Sequence, residues 1–267
     1  MTVAYERRGH VARITMERRE SRNALTYDDI LELIQCWRRL EQDDAAYVGI
    51  LSGTPEAFCS GADLKTLLPL ITSGGLEEEI VGPDGAAFAK FTLSKPVVAA
   101  VRGVCVAGGT ELVQATDIRI ASDDARFGLP EPRWGLFPAG GSTVRLPRQI
   151  PYCRAMEILL TGAQLTADEA LRIGLVNRVV PSDLVEDEAT AMAELICRNG
   201  PLAIRAIKRS VLETSGLPLP DAFAVESRLA RQVFKTSDAV EGPLAFAEKR
   251  SPRFAPVGPA REEGHGD

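Results

Sequence analysis

The chain has 267 residues, with 31 Lys plus Arg against 37 Asp plus Glu and a net charge of −6. That length excludes a small disulfide-stapled scaffold and leaves room for a sizeable core, and 45% hydrophobic with 25% charged residues is ordinary globular composition. A pI near 5.2 with no basic stripe argues against nucleic acid as a partner.

Val11–Met16 alternates roughly between apolar and polar residues, the pattern of a strand in an early hairpin. From Asn23 or Thr26 onward the period changes. Leu25, Ile30, Leu33, Ile34, Trp37 and Leu40 fall largely at three- and four-residue spacings, and Asp28 and Asp29 occupy the first turn of the amphipathic helix this predicts. Residues 47–51 read as a short buried strand leading through Ser-Gly-Thr-Pro into a glycine loop and a helix near Lys65. The same order returns in the β-branched run 96–101, the pair Gly108 and Gly109, and a helical stretch over 110–115. A further strand at 117–121 precedes Phe127-Gly-Leu-Pro-Glu131 and a Pro/Gly-rich passage ending at Gly141. Helical patterns then dominate, at 155–160, 167–173, 186–198, 201–212 and 221–234. The last two carry apolar faces that need a partner outside themselves, such as a neighbouring subunit. Residues between 65 and 90 read as a mobile surface excursion and 251–267 as a frayed tail.

Five cysteines, Cys36, Cys59, Cys105, Cys153 and Cys197, stand singly without a CxxC pair. Such usage fits a reducing compartment, and all five read as buried small apolar side chains. The longest apolar stretch, 96–109, contains Arg102 and falls short of the roughly 20 residues of a bilayer span. Residues 1–8 show no export leader. A cytoplasmic protein without membrane contact is expected. His10 and His265 are the two histidines, and neither is placed to serve a zinc site, a Ser-His-Asp triad or a Cys-His dyad. Acid–base work therefore falls to carboxylates.

A glycine beside a helix start lets backbone approach a ligand while free N–H groups point outward, which is how a site holds a developing oxyanion. Amides near Ala62 and Gly108 are the candidates, with a plain turn role for Gly61, Gly108 and Gly109 as the alternative. Glu111 lies three residues past Gly108 in the first turn of a helix preceded by apolar sequence. It is either an acid–base group or a capping-box glutamate. Glu131 stands between Pro130 and Pro132 with Phe127 and Trp134 close in sequence, a partly apolar setting that raises a carboxyl pKa. Two glutamates facing one cavity hold a water between them, one accepting a proton and the other donating one. The alternative for Glu131 is a solvated loop acid.

Ser60-Gly-Ala-Asp-Leu-Lys65, Lys95-Pro-Val-Val-Ala-Ala-Val-Arg-Gly103, Gly108-Gly-Thr-Glu-Leu112, Phe127-Gly-Leu-Pro-Glu131, Leu160-Thr-Gly162 and Gly174-Leu-Val176 together resemble the crotonase superfamily of enoyl-CoA hydratases and isomerases. Order and spacing both agree over roughly residues 10–250, and several separated motifs must coincide for that to happen. The resemblance implies an α/β fold, a spiral of repeated ββα units over 1–198, followed by a C-terminal helical trimerisation region over 199–250 and a flexible tail. Trimers, often paired as a dimer of trimers, would cover the helices after Pro201.

By the same resemblance, the amides of Ala62 and Gly108 form an oxyanion hole for an acyl-CoA thioester. Glu111 holds and activates water, and Glu131 exchanges a proton with the α-carbon. Lys65, Ala24 and, across a subunit boundary, Lys249 match positions near the coenzyme A moiety. No metal and no separate cofactor are implied, coenzyme A being part of the substrate. Departures are Arg18-Arg19 where a proline is usual, and Pro138-Ala-Gly-Gly141 where Pro-Gly precedes the glycine pair. The leading expectation is an enoyl-CoA hydratase acting on a trans-2-enoyl thioester. The alternatives are an isomerase, a dehydratase of a specialised hydroxyacyl-CoA, or a noncatalytic acyl-CoA-binding paralogue.

Overall fold

Alternation and a tight turn start the fold. In the computed structural model, which describes residues 2–73 and 93–255, β1 (Val3–Arg8) and β2 (Val11–Met16) pair antiparallel across Gly9 and His10. Beyond the hairpin the strands are parallel. β2 is followed across the sheet by β3 (Val48–Ser52), β5 (Val97–Val101), β7 (Ile118–Ser122) and β10 (Arg178–Val180), giving a six-stranded sheet in the order β1-β2-β3-β5-β7-β10. Every residue of β3 and β5 is buried, as expected for parallel strands covered on both faces.

A second sheet of four short strands lies against the first: β4 (Ala57–Cys59), β6 (Val104–Val106), β8 (Arg126–Gly128) and β9 (Gln164–Thr166). The chain alternates between the sheets. β3 passes to β4 and then α2 (Leu64–Thr72), and β5 passes to β6 and then α3 (Gly108–Gln114). β7 passes to β8 and then a 3-10 turn, Glu131–Trp134. This is the repeated ββα spiral expected from the sequence. Because β4, β6 and β8 pair side by side in parallel, the loops that follow them leave the same end of the sheet.

Helix α1 (Tyr27–Gln42) starts where its chemistry dictates. Thr26 accepts from the Asp29 amide and Asp29 accepts from the Thr26 amide, a capping box that contributes about 1 kcal/mol. Its Ile30, Leu33, Ile34, Trp37 and Leu40 join the main core with Phe58 and Phe127. The opposite face of the large sheet is covered by α7 (Val185–Cys197), whose Ala189 and Ala193 let the helix approach Ile50, Val98 and Ile120. Between these lie α4 (Ser142–Gln149), α5 (Tyr152–Thr161) and α6 (Ala167–Arg172).

The C-terminal helices α8 (Pro201–Thr214), α9 (Leu219–Phe234) and α10 (Asp238–Ala247) bury little of their own apolar surface. Ile207, Val211, Phe223, Phe234, Val240 and Phe246 are exposed in the single chain. Polar contacts hold α8 to the core, with Lys208 Nζ 2.7 Å from Asp117 Oδ2 and Arg205 bonded to Ser94 and Glu41.

Three expectations are corrected. Cys153 is exposed and Cys197 half-buried, while Cys36, Cys59 and Cys105 are buried as expected; Cys153 sits in the first turn of α5 on its outer side. The tail is docked where it begins, since the Ala255 amide donates to Asp238 Oδ1 at 2.8 Å. A helix, α4, stands just past the Pro/Gly-rich passage, with Pro147 inside it. Most of the expected 65–90 excursion, the residues 256–267 and His265 lie outside the described residues.

Candidate active site

The loop after β4 is shaped by one bridge. Leu25 pairs with Ala62 in parallel fashion, its amide donating to the Gly61 carbonyl and its carbonyl accepting from Asp63, both at 2.8 Å. In that pattern the neighbours of Ala62 make the bonds and its own N–H faces away from Leu25. Gly61 has φ +97°, a conformation that glycine adopts freely. After β6, Ala107 takes φ 51° and ψ −125°, which costs a residue with a β-carbon about 1–3 kcal/mol. The strain reverses the chain so that α3 begins at Gly108. Its partners are fixed: the Ala107 amide donates to Gly128 O at 2.8 Å and its carbonyl accepts from Glu111 at 3.1 Å.

The two loops touch backbone to backbone. A β-carbon on Gly108 would lie 3.5 Å from Gly61 Cα and 3.9 Å from Ala62 N, and one on Gly109 would collide with Cys59 O at 2.2 Å. Among the described residues, neither the Ala62 nor the Gly108 amide donates a hydrogen bond. Two neighbouring amides without acceptors are the donor arrangement an oxyanion requires.

Glu111 projects from the first turn of α3 and is 6% exposed. It is no capping box: Thr110 holds the third helical position and no side chain caps the helix. Thr110 instead ties α3 down, donating to Cys105 O at 2.7 Å. The Ser142 amide donates to Glu111 Oε1 at 3.4 Å. Burial, and then the negative charge of Glu131, push the Glu111 carboxyl up to about 7, against the lowering effect of hydrogen bonds from Ser142 and Gly140. Glu131 opens the 3-10 turn after Pro130. Burial raises its carboxyl pKa too, and its Oε2 is buried without a hydrogen-bond partner among the described residues. The acids, 20 residues apart in sequence, are thus electrostatic neighbours.

The chain matches the family model for enoyl-CoA hydratase/isomerase over residues 6–256. The chain belongs to this family. It is 44% identical over 251 residues to enoyl-CoA hydratase EchA19 of Mycobacterium tuberculosis, covering 93% of this chain and 94% of the relative. It is 37% identical over 254 residues to carnitinyl-CoA dehydratase of Proteus mirabilis, covering 92% and 95%. Among solved structures, enoyl-CoA hydratase EchA1 from Mycobacterium marinum superposes with a TM-score of 0.89 at 39% identity, covering 96% of this chain and 99% of that one. An enoyl-CoA hydratase from Mycobacterium tuberculosis gives 0.88 at 39%, with the same coverage. The fold is that of the crotonase superfamily.

The residues assigned to coenzyme A by the hydratase/isomerase resemblance are more dispersed. Ala24 precedes the Leu25 bridge, and its carbonyl already accepts from Arg18 Nη1 at 2.8 Å. Arg18 also pairs with Asp29 at 2.8 Å and Asp63 at 3.4 Å, so it braces both ends of the Ala24–Asp63 region; sequence alone marked it only as a departure. Lys65 is exposed on the first turn of α2. Lys249, with φ 54°, follows α10, and among the described residues no hydrogen bond or ion pair links it to Lys65 or to either glutamate. Trp134 is a correction: at 75% exposed it does not cover Glu131 in the single chain. Gly140 and Ser142 were missed as neighbours of Glu111. The signal for them was the run of small residues 139–142, which admits a carboxyl where larger side chains would not.

Proposed function

We propose that the protein is an enoyl-CoA hydratase, adding water reversibly to a trans-2-enoyl-CoA. The observation that carries this is the buried Glu111 with the half-buried Glu131, whose charge raises the Glu111 pKa, beside two loops in which, among the described residues, the Ala62 and Gly108 amides donate no hydrogen bond. In this reading the N–H groups of Ala62 and Gly108 take the thioester oxygen. As charge moves from the double bond onto that oxygen, each donor contributes roughly 3 kcal/mol to the enolate-like state. Glu111 accepts a proton from water, whose oxygen bonds to the β-carbon. Glu131 gives its proton to the α-carbon, and the two carboxyls together finish with the same proton count. The amides of Gly140 and Ser142 oppose, without cancelling, the burial and the Glu131 charge that raise the Glu111 carboxyl, and Glu131 has one oxygen without a donor among the described residues.

Lys65, Ala24 and Lys249 are proposed to contact the coenzyme A part of the substrate, with no separate cofactor. The exposed apolar side chains of α8–α10 support assembly through these helices as a trimer or a dimer of trimers, which would bring Lys249 to a neighbouring site. Five unpaired cysteines support a cytosolic setting. The 37% identity to carnitinyl-CoA dehydratase favours one second reading, dehydration of a specialised hydroxyacyl-CoA by the same groups running in reverse. The test is loss of the conjugated-thioester absorbance of crotonyl-CoA. Glu111→Gln and Glu131→Gln are each expected to slow it by roughly 10²–10⁴-fold; variants at the wild-type rate would remove the acid–base assignment.

A further inference from the structure

Gln114 stands one turn along α3 from Glu111, on the same side of the helix. It is buried, and among the described residues its side chain makes one hydrogen bond, from Nε2 to Ser142 Oγ at 2.9 Å. Its Oε1 is buried without a partner among the same residues, a cost that an apolar side chain of similar size would avoid. What glutamine provides at position 114 is therefore the donation to Ser142. Ser142 is buried as well, and its amide reaches Glu111 Oε1 at 3.4 Å. A serine hydroxyl has one proton to donate. With Oγ accepting from Gln114, that proton is left for the carboxyl beside it, and the Ser142 hydroxyl is among the hydrogen bonds that lower the proton affinity of Glu111. Turning the Gln114 amide over would draw the hydroxyl proton away and bury unpaired N–H donors, a rarer arrangement than an unpaired oxygen. α4 is fastened to Gln114 at its far end too, where Gln149 Nε2 donates to the Gln114 carbonyl at 2.8 Å, which fixes the approach of the two helices.

We propose that Gln114 and Ser142 form a relay behind Glu111: the Gln114 amide holds the Ser142 hydroxyl, and the hydroxyl donates to the Glu111 carboxylate, favouring the form that accepts a proton from water. Both are positioning residues, and the proposal rests on the acid–base reading of Glu111. The other charged or titratable groups that act on Glu111 are Glu131 from the 3-10 turn, which opposes its ionisation, Arg145 from α4, a cation, and Cys59 from β4, a thiol that burial pushes up to about 12. Replacing Ser142 or Gln114 by a neutral side chain alters none of these charges.

The experiment compares wild type, Ser142→Ala, Gln114→Met, the double variant and Glu111→Gln by crotonyl-CoA turnover against pH, by Tm, and by NMR titration of the Glu111 carboxyl, whose signal is the one missing from Glu111→Gln. Ser142→Ala is expected to move the acid limb of kcat/KM and the Glu111 titration upward by roughly half to one pH unit, the share of one hydrogen-bond donor to a carboxylate. KM at the pH optimum stays near the wild-type value. Gln114→Met moves both midpoints in the same direction, and the double variant moves them no further than Ser142→Ala, since the two residues act as one chain. Unmoved midpoints in Ser142→Ala, even with a lower Tm, reduce the pair to a clamp between helices and overturn the proposal, as do shifts that add in the double variant. If Gln114→Met does not fold, Ser142→Ala decides alone. Wild-type turnover in Glu111→Gln overturns the acid–base reading instead, and the NMR titration still decides the relay.

Discussion

Glu111→Gln tests the electrostatics of the site without any substrate. In the folded protein the carboxyl is raised from 4.5 to about 7, first by burial and then by Glu131. The folded state therefore binds this proton more tightly than the unfolded chain does. Between pH 4.5 and 7 the native protein keeps the proton while the unfolded chain has lost it, so wild-type stability falls as pH rises through that window. The whole effect is about 3 kcal/mol, present below pH 4.5 and gone above pH 7. A glutamine is neutral at every pH and escapes the loss. The variant's advantage over wild type is thus expected to grow by about 3 kcal/mol from acid to alkaline conditions, roughly 6–12 °C in Tm. Thermal unfolding of both proteins at pH 5 and pH 8 measures it, with turnover assayed on the same samples. Activity should collapse while stability at pH 8 rises. An advantage that is the same at both pH values, or larger at pH 5, would refute the placement of an ionisable, desolvated carboxyl at this position.

Two neighbouring glycines should separate site from scaffold. Gly108→Ala meets only ordinary contacts, at 3.5 Å or more, and should leave Tm nearly unchanged while its methyl crowds the space before Ala62 N and lowers kcat/KM by about 10²–10³-fold. Gly109→Ala drives a β-carbon to 2.2 Å from Cys59 O and should cost about 1–3 kcal/mol of stability; the opposite ordering in a denaturant titration would remove the argument. Arg18→Met leaves the buried Asp29 without its guanidinium and should destabilise by about 3 kcal/mol at pH 7. Burial raises the Asp29 pKa, but hydrogen bonds from Thr2, Thr26 and Arg18 outweigh it and hold the group below 3.8. Its contribution is present above 3.8 and lost as pH falls through the lower folded value, so urea midpoints of variant and wild type should converge in acid.

Local pattern determined much of this protein. Helix α1 was legible because Ile30, Leu33, Ile34, Trp37 and Leu40 repeat at helical spacing behind a Thr26–Asp29 start, and β3 and β5 because short apolar runs end at glycine turns. Such features depend on neighbours in sequence, and so did the two glycine loops and both glutamates as candidates. Strands β4, β6, β8 and β9 have three residues each, too few to carry a period, and α4 was masked by Pro147 and the glycines before it.

Only tertiary structure decided which candidates meet. Ala62, Gly108, Glu111 and Glu131 come from three successive turns of the spiral, and the segments that carry them meet because β4, β6 and β8 pair side by side in one sheet. The pKa of Glu111 was equally out of reach. It is set by burial among residues far along the chain and by the charge of Glu131, against hydrogen bonds from Ser142 and Gly140, and desolvation belongs to the packed fold rather than to any one segment.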